Sequence, residues 1–87
     1  MHKVSQMINI GYGNFMNAEK VVAVVSNDAA PVKRMIQIAK EQDRIIDATH
    51  GKKTKSVIVT ESHHIVLSAL LPETLQSRFE HNKNGLQ

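Results

Sequence analysis

The stretch that decides the fold joins two apolar runs through a short basic loop: Ile45-Ile46-Asp47-Ala48-Thr49-His50-Gly51-Lys52-Lys53-Thr54-Lys55-Ser56-Val57-Ile58-Val59-Thr60. The flanking runs are rich in β-branched residues, which favour strands. Gly51 accepts the backbone conformations of a tight turn, and the loop's three lysines cannot be buried cheaply. We therefore expect two strands joined by an exposed basic loop, residues 51–55, called the lysine turn below.

Working outward from this stretch, the chain divides into short strands and two helices. Gly11-Tyr12-Gly13-Asn14 is typical of a hairpin turn rather than a phosphate-binding loop, because a strand follows it instead of a helix. The predicted strands are 7–10, 15–17, 21–25, 45–49, 56–61 and 64–70.

Two helices complete the predicted domain. Pro31 suits a first helical turn, and a stripe of apolar residues follows at helical spacing, with the end expected near Asp43. The stripe consists of Val32, Met35, Ile36 and Ala39. Pro72 opens a second helix.

The order predicts an α+β fold, a small mixed β-sheet domain of about six strands with one central amphipathic helix and a short C-terminal helix. We expect one domain over 1–87, with 82–87 as a flexible tail.

The strands at 21–25, 57–59 and 65–67 are apolar at successive positions, so we expect both faces of their sheet to be buried. Two helices cover one face of such a sheet. The other face then requires a second sheet or another subunit. For so short a chain, we infer a homo-oligomer.

Composition narrows the function classes. The 87 residues carry a net charge of +3 and no cysteine, which excludes disulfides, thiolate zinc sites and cysteine nucleophiles. No apolar stretch approaches the roughly 20 residues that a membrane span needs, and the first residues lack a signal-peptide core. We expect a cytoplasmic protein without membrane contact. Tyr12, Phe15 and Phe79 are too few to predict a stacking platform for single strands.

Charge placement leaves two interpretations of the lysine turn open. It is either a solvated hairpin tip or a phosphate-binding surface. Lys20, expected at the entry to a central strand, and a helix face with Lys33, Lys40 and Arg44 favour the second interpretation. Glu41 and Asp43 lie close to that helix face, so ordinary helix surface stays open as its alternative. His50 adjoins the turn, and we expect it to add a contact to phosphate or sugar. Lysine suits phosphates better than bases, so we expect salt-sensitive binding with little base readout.

The remaining polar residues do not indicate catalysis. Asp47, Thr49 and His50 are close in sequence, but no activated nucleophile or carboxylate pair emerges. Asp47 is better explained as a hydrogen-bond partner that fixes the turn. His63 and His64 are adjacent and point to opposite faces, which disfavours a metal site. We predict no enzyme, no catalytic residue, no metal, no cofactor and no small-molecule substrate.

Four spaced blocks of the chain resemble the family of the extracellular matrix regulatory protein RemA, also called the YlzA-like family. The resemblance covers roughly residues 7–79. The blocks are Ile8-Asn9-Ile10-Gly11-Tyr12-Gly13-Asn14, Ser26 with Ala29-Ala30-Pro31-Val32-Lys33-Arg34-Met35-Ile36-Gln37, Ile46-Asp47-Ala48-Thr49-His50-Gly51-Lys52-Lys53-Thr54-Lys55, and Leu67-Ser68-Ala69 with Pro72-Glu73-Thr74. The resemblance implies a bacterial DNA-binding regulator that activates biofilm-matrix operons. It also implies a ring-shaped homo-oligomer that displays basic residues towards double-stranded DNA.

The resemblance also assigns residues. It implies DNA contacts from Lys20, Lys52, Lys53 and Lys55. Family members typically carry arginines at the three turn positions, Lys52, Lys53 and Lys55. They often carry a tyrosine at the position of His50. Lysine keeps the charge of arginine but lacks its planar guanidinium group, which can donate two parallel hydrogen bonds. We therefore expect an oligomeric DNA-binding transcriptional regulator. The alternative is a structural or protein–protein assembly module that does not bind nucleic acid.

Overall fold

The structure, a computed structural model, describes residues 6–84. It has six strands and two helices in an α+β arrangement, as the sequence predicts. They are β1 (Met7–Gly11), β2 (Asn14–Asn17), β3 (Val21–Ser26), α1 (Ala30–Glu41), β4 (Ile45–Ala48), β5 (Ser56–Thr60), β6 (Ile65–Ser68) and α2 (Pro72–Asn84), with a 3₁₀ turn at Ala18–Lys20 before β3. The expected tail, 82–87, overlaps the end of α2, and its residues 85–87 lie outside the described residues.

The strands form two sheets. β1 and β2 pair as an antiparallel hairpin, and the other four pair in the order β3-β5-β6-β4. β5 is antiparallel to β3 and β6, whereas β4 runs parallel to β6. The register between β3 and β5 shifts between Val21 and Ala23, and Val22 at this point is 64% exposed.

This order corrects two predictions. β3 is an edge strand, so Lys20 does not precede a central strand. The lysine turn is not a hairpin tip, because β6 lies between the two strands that the turn connects. Local sequence predicts strands but not which distant strand each one pairs with, and the parallel pairing of β4 with β6 produces this crossover.

Both faces of the four-stranded sheet are covered within the chain. On one face, Val57, Ile65 and Leu67 pack with Ala39 of α1 and its apolar stripe. On the other face, the β1–β2 hairpin and α2 cover the sheet: Ile10 and Leu75 pack with Ala48, Ile58 and Val66. The two helices lie on opposite faces of the sheet, so the expectation that they cover only one of its faces is wrong. Buried sheet faces therefore do not require a second subunit, and the homo-oligomer stays a prediction.

The two ends of the sheet differ in what they carry. β4 and β6 both finish, and β5 begins, at the end where Ser56 pairs with Ser68. The lysine turn lies there, and α1 and α2 both start from loops at that end. We call it the basic end; the opposite end holds the start of β3 and the β5–β6 turn. No helix within residues 6–84 is long and apolar enough to cross a membrane.

Candidate nucleic-acid interface

The lysine turn begins with a tight reversal of the backbone. The Lys52 amide donates to the Thr49 carbonyl at 2.9 Å, and both central residues, His50 and Gly51, have positive φ angles of 55° and 78°. This is the geometry of a type I′ turn. Nothing lies within 4 Å of a Cβ built on Gly51, so the backbone conformation rather than space favours glycine there. The reversal leaves Lys52 and Lys53 exposed directly after it.

Asp47 fixes the start of this reversal, as the sequence predicts. Its Oδ1 accepts hydrogen bonds from the Thr49 amide at 2.9 Å and the Thr49 hydroxyl at 2.6 Å. These two bonds lower the pKa of Asp47, first the side-chain bond and then the backbone bond; Lys40 adds a smaller lowering, and burial opposes it. Thr49 itself is buried. The carboxylate therefore satisfies two donors that would otherwise lack partners.

The end of the lysine turn is fixed by contacts with two other segments. The Lys55 amide donates to the Ser68 carbonyl at the end of β6, at 2.9 Å. Asn27, between β3 and α1, donates from its side chain to Thr54 O at 3.2 Å and from its backbone to Lys55 O at 3.3 Å. The loop therefore crosses the end of β6 with both of its own ends anchored.

The lysine side chains remain available for a partner. Lys52, Lys53 and Lys55 are all exposed. Across residues 6–80, whose side chains the structure describes, it gives one lysine–carboxylate ion pair, and this pair involves none of these three lysines. Asp28 and Glu73 are the acidic residues that precede α1 and begin α2 at this end. Asp47, at the end of β4, is a third carboxylate here, and the amino-terminal ends of both helices add partial positive charge beside the three lysines.

The first hairpin lies against the lysine turn, which the sequence did not predict. The Tyr12 and His50 rings stack with centroids 5.2 Å apart and planes inclined by 15°. The Asn14 side-chain amide donates to Gly11 O at 2.9 Å and to Ala48 O at 3.4 Å, which ties the hairpin to the end of β4. Tyr12-Gly13 and His50-Gly51 each combine a ring with glycine at a turn, and this shared local pattern is the signal that could have suggested the pair.

Lys20 lies away from these residues. Its Nζ is 3.5 Å from Glu61 Oε1, and both side chains are about 60% exposed. Val21 pairs with Thr60 at the far end of β5, whereas the lysine turn adjoins Ser56 at its start. The separation along β5 is about 13 Å, at about 3.3 Å per residue. Within one subunit, the structure brings together His50, Lys52, Lys53 and Lys55 but not Lys20.

The predicted basic helix face is also not continuous with the lysine turn. Arg44 follows α1 and donates to the His63 carbonyl and, at 2.9 Å, to Gln42 Oε1. Its guanidinium therefore joins the end of α1 to the β5–β6 turn at the opposite end of the sheet. Lys33 and Lys40 are exposed near the two ends of α1. This face is ordinary helix surface apart from that contact.

Comparison with known proteins gives one consistent result. Residues 7–79 match the model of the RemA-like family, described as extracellular matrix regulatory protein A-like. The chain is 53% identical over 78 residues to a protein of Gloeothece citriformis, covering 90% of this chain and 89% of that one. It is 50% identical over 82 residues to a protein of Thermoanaerobacter sp. strain X514, covering 94% and 85%.

A protein of Geobacillus thermodenitrificans is 49% identical over 73 residues, which is 84% of either chain. All three relatives carry the name "Putative regulatory protein". The family match spans most of the chain and includes the first hairpin, the lysine turn and the start of α2. The chain therefore belongs to the RemA-like family of extracellular matrix regulatory protein A-like proteins.

Proposed function

We propose that this protein is a homo-oligomeric, cytoplasmic transcriptional regulator that binds double-stranded DNA through the lysine turn. The observation that carries the proposal is the anchored turn with exposed lysines that pair with no carboxylate in the described part of the chain. Family membership and the relatives' regulatory names support it. Activation of biofilm-matrix genes is the physiological role that follows from the family resemblance.

The physical basis of binding is charge neutralisation of phosphates. Each lysine that contacts a phosphate releases condensed counterions, so affinity falls as salt rises, with a slope of about 0.9 per contact on logarithmic axes. Holding Lys52 and Lys53 on a fixed backbone reduces the conformational entropy lost on binding. Lysine ammonium groups do not provide the bidentate readout that arginine gives to guanine. Binding then depends mainly on the DNA backbone and little on direct base contacts.

Assembly into a ring would multiply these weak contacts. Exposed apolar side chains support an assembly: Phe15 of β2 is 56% exposed and Ile46 of the edge strand β4 is 50% exposed. They line a groove of about 220 Å³ whose other walls include Met16 and Val66. A second copy that covers this groove would bury apolar surface on both molecules. Repeated lysine turns then bind one duplex through a high effective concentration.

The test is DNA affinity measured against salt. We compare the wild type with Lys52→Ala/Lys53→Ala, using labelled duplex and fluorescence anisotropy. Affinity should fall by about tenfold or more at moderate salt, with a shallower salt slope. The matched control is Lys33→Ala/Arg34→Ala, which removes an adjacent exposed pair of cations from α1. Equal losses in both variants, or no change in the first, would remove the lysine turn from the interface.

The alternative is an assembly module without nucleic-acid binding, and the exposed groove is the observation that favours it. In that case Lys20 pairs with Glu61 merely as a solvated surface pair, and the lysine turn keeps the surface soluble. A gel-shift experiment separates the two functions. No retardation of duplex DNA at micromolar protein and moderate salt supports the assembly module.

A further inference from the structure

Tyr12 lies at the tip of the first hairpin, where it adjoins the lysine turn instead of packing into the core. The side chain is 53% exposed, and one face of its ring rests on His50. Among residues 6–80, no group forms a hydrogen bond with the Tyr12 hydroxyl. A phenol is a hydrogen-bond donor as well as an acceptor. The hairpin therefore presents an available O–H donor beside His50, the residue that directly precedes the lysine turn.

The backbone under this ring pair is not one that the side chains favour by themselves. Tyr12 and His50 both have positive φ, at 53° and 55°, and each precedes a glycine that also has positive φ. Asn or Asp suits the first position of such turns better than an aromatic residue. Turn formation alone thus does not explain a ring at each position. The two rings stack on each other, and this contact favours both positions.

We propose that Tyr12 is a DNA-contact residue whose hydroxyl donates a hydrogen bond to a phosphate oxygen next to the phosphates bound by Lys52 and Lys53. His50 acts as the positioning residue that holds the Tyr12 ring. This inference rests on the proposed DNA-binding function and extends its surface from the lysine turn to the first hairpin.

The chemistry of this contact differs from that of the lysines. A hydrogen bond from a neutral phenol to a charged phosphate adds binding energy, but the donor brings no charge and neutralises no phosphate. Removing the hydroxyl should therefore weaken binding without changing the salt slope. Removing a lysine should lower the affinity and also make the salt slope shallower. This difference separates a Tyr12 contact from a general loss of positive potential.

The chain provides its own probe of this site. Tyr12 is the single tyrosine in the sequence and there is no tryptophan, so tyrosine emission reports Tyr12 alone. Unlabelled duplex is added to the full chain, with correction for absorbance by the DNA, and acrylamide quenching is measured in parallel. We expect the emission to change along the same curve as the anisotropy of labelled duplex. We also expect bound DNA to reduce quenching of Tyr12.

Three variants complete the experiment. Tyr12→Phe keeps the ring stack and should lose about tenfold in affinity with an unchanged salt slope. Tyr12→Ala removes the stack too and should lose more. Thermal unfolding of Tyr12→Phe should match the wild type, because the lost hydroxyl has no described partner. A third variant, His50→Ala, should weaken binding and increase acrylamide quenching of free Tyr12.

The outcomes separate this inference from the function on which it rests. Binding seen by anisotropy with unchanged Tyr12 emission and quenching would overturn the contact, while the lysine-turn function stands. If Tyr12→Phe binds DNA as tightly as the wild type, the contact is likewise overturned and the lysine-turn function stands. Failure of the wild type to bind duplex at low salt overturns both the function and the contact. A Tyr12→Phe loss with a shallower salt slope would assign the effect to disturbed lysines and reject the hydrogen bond.

Discussion

The two ends of the sheet carry the same types of residue but use them differently. At the basic end, hydrogen bonds accepted by Asp47 and Ser68 and donated by Asn27 hold the backbone of the loop, and its lysine side chains stay exposed. At the opposite end, Lys20 pairs with Glu61, and the Arg44 side chain donates to a backbone carbonyl. A count of positive residues does not reveal this difference. The difference teaches that availability for a partner depends on what else each cation contacts.

Charge reversal in the lysine turn should have the largest effect on DNA binding. Lys52→Glu/Lys53→Glu replaces two attractive phosphate contacts with two repulsive ones, so affinity should drop by about a hundredfold or more. Lys33→Glu/Arg34→Glu makes the same change in net charge on α1 and should cost far less. Anisotropy titrations with one labelled duplex measure both variants. Similar losses would mean that the net charge of the protein, and not the position of the lysine turn, determines binding.

Loss of the Asp47 carboxylate tests whether the anchored backbone matters. Asp47→Ala leaves two donors of the buried Thr49 without their acceptor, so the free energy of unfolding should fall by about 2 kcal/mol. Urea unfolding measures this change. Asp47→Asn is the matched control because it keeps one acceptor oxygen, and its loss should be clearly smaller. If Asp47→Ala has a lower free energy of unfolding than the wild type but the same DNA affinity, the rigidity of the turn does not contribute to binding.

The lowered pKa of Asp47 gives this anchor a pH dependence. A carboxylate with a pKa below its ordinary value of 3.8 stabilises the fold fully above that value. The stabilisation is lost as pH falls from about 3.8 through the folded-state pKa, because the protonated group is a poorer acceptor. The effect is modest, since Asp47 is exposed. The stability difference between wild type and Asp47→Asn should therefore shrink between pH 5 and pH 3; a constant difference would contradict this.

Changes at the opposite end should have the smallest effects. Lys20→Ala should weaken DNA binding only by about threefold, because Glu61 already offsets part of its charge. Glu61→Gln frees Lys20 and should raise affinity by about twofold or less. Anisotropy titrations at low salt provide the required sensitivity. A Lys20→Ala loss as large as that of Lys52→Ala/Lys53→Ala would remove the distinction between the two ends.

Local sequence predicted the structural features that depend on residues close to one another along the chain. The strands, the α1 stripe and the Asp47 anchor follow from periodicity and from partners two residues away. Strand order does not, because the parallel pairing of β4 with β6 joins segments separated by β5. That pairing makes the lysine turn a crossover loop and also determines where Lys20 lies. The contact between Tyr12 and His50 was missed for the same reason, since it forms only when the first hairpin folds over the end of β4.

The shifted register of β3 has a consequence for how copies of this chain can join. An edge strand with regular, unpaired backbone groups can accept a strand from another molecule and extend a sheet without limit. The irregularity between Val21 and Ala23 interrupts that edge, and β4 at the other edge is only 4 residues long. Neither edge offers a long template for fibre growth. Copies that associate through side chains instead can close into assemblies of fixed size.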